Sequence, residues 1–149
     1  MTVTTFFWFD NKAEEAATHY TEIVPDSRVV EVTRNPDGSA FIVAIELDGQ
    51  SYTLMNGGPG HPLTDAASVQ LIVETQAELD GLWDALVEGG EPGPCGWLTD
   101  RYGLSWQVAP AALPELMGGD PTKTAAVATA LRGMSKIDLR TLQDAYEGA

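Results

Sequence analysis

The stretch F-F-W-F-D-N-K-A-E-E-A, Phe6 to Ala16, reads as a short apolar strand that turns through Asp10-Asn11 into a helix. The same grammar returns 64 residues later. Gln70-Leu-Ile-Val-Glu74 stands against Phe6 to Asp10, Ala77-Glu78 against Ala13-Glu14, and the helix Asn11 to Val24 against Thr75 to Glu88. Strand followed by helix therefore occurs twice, and the chain reads as a duplicated half.

Working outward, Pro25-Asp26 breaks the first helix, and Arg28 to Arg34, Phe41 to Leu47 and Ser51 to Asn56 read as strands. They are separated by the turn signals Asn35-Pro-Asp-Gly38 and Asp48-Gly49. Gly89-Gly90 stops the second helix, after which Glu91 to Leu98 and Leu104 to Ala109 are the expected strands around Asp100 to Gly103. The order is βαβββ, a linker over 57–65, then βαβββ. Periodicity by itself commits only to two α+β halves.

Alternation assigns the strand faces. Phe7, Phe9, Tyr52, Leu54, Val69, Leu71, Val73, Leu104, Trp106 and Val108 form an apolar set that should pack beneath the helices. The helices offer matching stripes, Ala13, Ala16, Ala17, Tyr20, Ile23 and Val24 in the first, and Leu79, Leu82, Trp83 and Leu86 in the second. The opposite strand face is mixed: Thr4, Phe6, Trp8, Thr53, Met55, Ser68, Gln70, Ile72, Ser105 and Gln107. A half-polar face that carries aromatic rings suits a small-molecule cavity. The alternative for this face is water or another subunit.

Composition narrows the function classes. A chain of 149 residues, 44% hydrophobic, can bury one core. No apolar run approaches the roughly 20 residues of a membrane span, and the first residues lack the pattern of a secretion signal, so a cytoplasmic protein is expected. Cys95 is the only cysteine, which precludes an internal disulfide and a cysteine-built zinc site. The net charge is −14, and residues 1–119 hold all of the excess, with four bases against eighteen acids. Phosphate binding needs clustered cations, so a nucleic-acid partner is not expected. An acidic surface is first of all a solubility device.

The last forty or so residues read as structured. Asp120-Pro121 opens a helix that runs to Arg132 before Gly133, Asp138 caps another to Tyr146, and Ala111 to Met117 adds a short one. Leu131, Met134, Ile137, Leu139 and Leu142 are too apolar to stay in solvent and should pack on the body or across a dimer.

Three segments together carry a resemblance: Phe6 to Ala16, E-L-D-G-Q at Glu46 to Gln50, and C-G-W-L-T-D-R-Y-G-L-S-W-Q-V-A-P at Cys95 to Pro110. They resemble the PhnB-like branch of the vicinal oxygen chelate (glyoxalase, bleomycin-resistance and dioxygenase) superfamily, whose members often carry the label 3-demethylubiquinone-9 3-methyltransferase. The resemblance implies an α+β fold in which two βαβββ repeats, 1–57 and 66–110, form a curved, cavity-forming sheet with helices outside. The helical C-terminal tail, 111–149, is expected to belong to the same unit or to a dimer interface. It also implies pairing into a homodimer.

In that superfamily a divalent ion is held by His, Gln or Glu from the first and last strands of the repeats. Carried over position by position, those sites fall on Thr4, Ser68 and Gln107, with Thr53 as the less secure counterpart of Gln107. Neutral hydroxyls and one amide supply no charge to offset dehydration of a divalent cation, so the metal site is expected to be empty and no cofactor is expected. His19, expected in solvent beside the first helix's stripe, and His61, in the Gly-Pro-Gly-His-Pro linker, do not restore it. A divalent metal held by other ligands is the alternative.

The expected ligand-binding set is Trp8, Thr53, Met55, Ser68, Gln70, Trp97, Ser105 and Gln107, with Trp8 and Trp97 as stacking surfaces for a planar molecule. Glu46 and Cys95 are the weak catalytic candidates, a general base and a nucleophile. Asp100-Arg101 is read as a turn with local ion pairing. The expected function is the binding of a small organic molecule without metal. The alternatives are an enzyme of the same superfamily, of lyase, isomerase or dioxygenase type, and a protein-interaction module. A methyltransferase is disfavoured on the residues, because Asn56-Gly-Gly-Pro-Gly60 leads into Pro62 and not into a helix.

Overall fold

The alternation of Thr5–Phe9 is realised as β1, with Phe7 and Phe9 buried and Phe6 exposed. The computed structural model describes all residues, Met1–Ala149, and they fall into two compact units, Met1–Leu63 and Thr64–Ala149. No helix is long and apolar enough to cross a membrane.

In the first unit β1 is followed by α1 (Ala13–Ile23), β2 (Arg28–Arg34), β3 (Ala40–Leu47) and β4 (Gln50–Asn56). The strands lie in the order β1-β4-β3-β2, with β1 parallel to β4 and the other pairs antiparallel. Ala13, Ala16, Ala17 and Tyr20 of α1 are buried, as are Val43, Ile45 and Leu47 of β3 and Leu54 of β4. Three alanines on one stripe let the helix lie close on the strands. No side chain of α1's own N-terminus caps it; Asn56, at the end of β4, accepts from Ala13 N at 2.8 Å and donates to Ala40 O at 3.0 Å. That pair of bonds fastens the helix start to both neighbouring strands. Between β3 and β4, Asp48 and Gly49 both take positive φ, 46° and 77°, the conformation a two-residue hairpin with right-handed twist requires.

The second unit repeats the plan with β5 (Val69–Val73), α2 (Gln76–Val87), β6 (Glu91–Pro92), β7 (Trp97–Thr99) and β8 (Ser105–Pro110), in the order β5-β8-β7-β6. β5 is parallel to β8, and the remaining pairs are antiparallel. Hydrogen bonding thus forms two four-stranded sheets, one per repeat. α2 begins with a full capping box, in which the Thr75 hydroxyl accepts from Glu78 N and the Glu78 carboxylate accepts from Thr75 N.

The single strand expected over Glu91–Leu98 is broken at Gly93–Gly96. Cys95 and Gly96 sit at φ 58° and 84°, and their N–H groups donate to Met134 O and Ser135 O of the tail, at 2.9 and 2.7 Å, instead of to a neighbouring strand. Gly96 also has no room for a side chain, since a Cβ there would lie 2.7 Å from Ile137 Cδ1.

That tail is α3 (Leu113–Met117), α4 (Pro121–Arg132) and α5 (Leu139–Glu147), the last two capped by Asp120 and Asp138. Val127, Ile137 and Leu142 are fully buried within this unit. The Gln76 amide clamps the α4–α5 connection, donating to Ile137 O and accepting from Leu139 N, both at 2.9 Å. Lys136 adds ion pairs to Asp80 and Asp84.

Asp100 corrects a sequence expectation. It is buried and makes no ion pair with Arg101; Oδ1 accepts from Tyr102 N and Leu104 N, and Oδ2 from the indole Nε1 of the fully buried Trp106 at 2.8 Å. Arg101 turns instead to Glu88, donating to its carbonyl oxygen and lying 3.7 Å from its carboxylate. Two backbone N–H groups of the turn and the Trp106 indole together supply the partners that a buried carboxylate needs.

Candidate functional site

Each sheet has one face under its helix and one face without it. In the first unit the register places Phe6 beside Thr53 and Ala44, Trp8 beside Met55 and Ile42, and Ser51 beside Glu46 and Arg28 on the face away from α1. Phe6 is 52% exposed, and Trp8, Thr53 and Met55 are half-buried.

Trp8 is already engaged by its own chain. Its indole Nε1 donates to Gly58 O at 2.8 Å, and the His61 ring lies over it with centroids 4.3 Å apart. A Cβ on Gly57 would come within 2.2 Å of the indole, so only glycine lets the linker pass there. The sequence marks Trp8 as a stacking surface, but its seat under Gly57-Gly58 is invisible without the fold. His61 thus serves as a neighbour of Trp8. His19, expected in solvent, is half-buried with its Nε2 shut off from water, 6.2 Å from the Tyr20 ring.

The two catalytic candidates lie in different units, Glu46 on β3 and Cys95 between β6 and β7. Glu46 Oε2 is paired with Arg28 Nε at 2.7 Å on an open strand row. Cys95 is half-buried in the tail-bonded loop, and its left-handed backbone serves the hydrogen bonds to Met134 and Ser135.

In the second unit the face away from α2 carries Gln70, Gln107 and Trp97 in one row across β5, β8 and β7. Ser68 lies diagonal to Gln107, and the Gln107 amide nitrogen donates to the Ser68 hydroxyl oxygen at 2.8 Å. Gln70 is exposed, Ser68, Trp97 and Gln107 are half-buried, and Ser105 is buried at 2%. Ile72, on the same face, is 64% exposed. The resemblance implies Ser68 and Gln107 as counterparts of the superfamily's ligand positions; that they bond to one another emerges only from the register of β5 and β8.

These positions do not suit a metal ion. Thr4 donates its hydroxyl to Ser51 O at 3.0 Å, Ser68 and Gln107 share one hydrogen bond, and all three are neutral. No group of three or more His, Cys, Asp or Glu stands close enough to share an ion. A divalent cation loses more on leaving water than such oxygens return.

A family model described as 3-demethylubiquinone-9 3-methyltransferase matches residues 1–109. No curated protein matches the chain. Among solved structures, the chain is similar to a PhnB protein from Bacillus cereus that bears the same methyltransferase name, at 29% identity and TM-score 0.70, covering 74% of this chain and 100% of that one. It is also similar to the fosfomycin resistance protein FosX from Mesorhizobium loti, at 14% identity and TM-score 0.53, covering 72% and 89%. A glyoxylase/bleomycin resistance protein/dioxygenase domain from Frankia shares 18% identity at TM-score 0.50, covering 74% and 91%. At such identities the last two speak for the fold alone. The duplicated βαβββ order, the two four-stranded sheets and the family match over 1–109 agree, and the chain belongs to the PhnB-like 3-demethylubiquinone-9 3-methyltransferase domain family, with the glyoxalase-superfamily fold.

Proposed function

We propose that this protein binds a small, planar organic molecule on the helix-free face of its sheets, without a metal ion, as a binding or sequestering module. The observation that carries this reading is the Ser68–Gln107 pair: where the superfamily's carboxylate would hold an ion, two neutral groups bond to each other beside Trp97. Neutral polar groups next to an aromatic ring are the usual furniture of an organic-ligand site. The family's methyltransferase name finds little support in the backbone. β1 passes to α1 through Asp10-Asn11-Lys12, β5 to α2 through Glu74-Thr75, and neither junction contains the glycine-rich turn of a nucleotide-type cradle.

The reading includes a cytoplasmic protein that pairs with a second copy. Val29 and Val30 of β2 and Phe41 of β3 are exposed apolar side chains that a second copy would cover.

Elemental mass spectrometry of the freshly purified, untagged protein, together with a small-molecule screen followed by amide and indole NMR shifts, tests the proposal. Less than about a tenth of an equivalent of metal is expected from such weak donors, with ligands shifting Trp97 and the Gln107 side-chain amide. Near one equivalent of nickel, manganese, iron or zinc would overturn the metal-free reading. Turnover of a bound ligand that is lost in Glu46→Gln or Cys95→Ser would replace the binding module with an enzyme.

A further inference from the structure

We infer that the ligand of the Ser68–Gln107 row is a neutral, planar heterocycle that presents an N–H and a C=O on adjacent ring atoms, a lactam-type edge. The inference rests on the binding function proposed above and names its chemical class. A carboxamide and a hydroxyl that bond to each other still have polar capacity left over. With Gln107 Nε2 donating to Ser68 Oγ, the Gln107 carbonyl oxygen is left as an acceptor, and a second amide hydrogen and the serine hydrogen are left as donors. If the amide is turned round so that its oxygen accepts from the serine, a donor and an acceptor again stand side by side. The presented pattern therefore includes a donor beside an acceptor under either assignment, and it is uncharged.

The surroundings select among molecules that could meet that pattern. An anion would need a cation here, but the row offers Gln70 and Trp97, the neighbouring row holds Ser105, Thr99 and Glu91, and residues 1–119 carry four bases against eighteen acids. A carboxylate or phosphonate would thus leave water without compensation. An apolar ring without polar edges would strand the Gln107 and Ser68 groups it covers. Trp97, the direct cross-strand partner of Gln107, supplies a flat apolar surface beside the amide, which suits a planar ring.

The test uses 2-pyridone, which has the lactam edge, N-methyl-2-pyridone, which keeps the shape and the carbonyl but lacks the N–H, and benzoate, which is planar and anionic. Each is titrated into the full-length protein while the Gln107 side-chain amide and the Trp97 indole N–H are followed by ¹⁵N NMR. 2-Pyridone should shift both signals and bind about tenfold or more tightly than its N-methyl analogue, and benzoate should not shift them. Gln107→Glu sharpens the test, because the Ser68 hydroxyl must then donate to a carboxylate and the pair offers acceptors only. That variant should lose 2-pyridone and gain 2-aminopyridinium, which has two adjacent donors, with unchanged indole signals for Trp83 and Trp106 reporting an intact fold. Equal binding of the two pyridones, or a Gln107→Glu variant with unaltered preference, overturns the inference. If neither pyridone shifts the row while other small molecules do, the lactam class falls and the binding function stands; if nothing shifts it, both fall.

Discussion

Replacing Asp100 with Asn exchanges one buried carboxylate oxygen for an NH₂ group in a pocket where three N–H donors point at the carboxylate. Asp100 is 3% exposed, with two backbone N–H groups on Oδ1 and the Trp106 indole on Oδ2. In Asp100→Asn either the new amide nitrogen faces the indole N–H, donor against donor, or the side chain turns and meets two backbone donors. The first arrangement is the less costly and forfeits one hydrogen bond to a charged acceptor, roughly 1.5–3 kcal/mol. The two backbone bonds also lose their charge assistance, while relief from burying a charge offsets part of the loss. The net destabilisation should be about 2–4 kcal/mol. Trp106→Phe removes the donor that clashes, so the double variant should cost roughly 1–2 kcal/mol less than the sum of the two single ones. Urea unfolding followed by far-ultraviolet circular dichroism measures all three. An Asp100→Asn protein within about 0.5 kcal/mol of the parent, or strict additivity in the cycle, would refute the assignment of Asp100 as the hub of the Thr99–Leu104 turn.

Gly57→Ala should displace the linker from Trp8, because the added carbon would lie 2.2 Å from the indole, and should cost about 1–3 kcal/mol as an overpacking change; a changed Trp8 indole N–H resonance reports it, and an unmoved one would contradict the seat described. Cys95→Gly, at φ 58°, should leave stability unchanged or raise it by up to about 1 kcal/mol by relieving a left-handed backbone, as thermal unfolding would show. Acid should loosen the caps of α2 and α5. Hydrogen bonds from the Thr75 backbone N–H and then its hydroxyl hold the Glu78 carboxyl below its ordinary value, and the Thr141 backbone N–H does the same for Asp138. Both folded values lie below the unfolded ones, so the stabilisation is complete at neutral pH and is lost as pH falls from the ordinary carboxylate value, about pH 4, down through the lower folded values. Urea midpoints should drop across that range, and less steeply in Thr75→Ala; parallel profiles for the two proteins would remove Glu78 from the explanation.

Much of the architecture follows from local patterns that need no partner. The 64-residue repeat is visible because Phe6–Asp10 and Gln70–Glu74 each precede a helix, and β1 and β5 begin at Thr5 and Val69, the same 64 apart. Turn residues at Asp48-Gly49 and caps at Thr75, Asp120 and Asp138 act over a few residues, so they mark element ends in the chain itself. Alternation likewise separates the buried Phe7, Phe9, Val69, Val73 and Val108 from their outward neighbours.

The tertiary structure decides what distance in sequence hides. Asn56 caps a helix 43 residues away, Trp8 is roofed by a linker about 50 residues away, Gln76 clamps Ile137, and the loop at Cys95-Gly96 pairs with the tail and ends a strand that local propensity would have continued. The same holds for the candidate site. Sequence by itself determined that Ser68 and Gln107 are neutral, and the family resemblance implies them as counterparts of metal ligands. Only the parallel register of β5 and β8 brought them to 2.8 Å, because a hydrogen bond between side chains 39 residues apart depends on strand pairing, which no local pattern encodes.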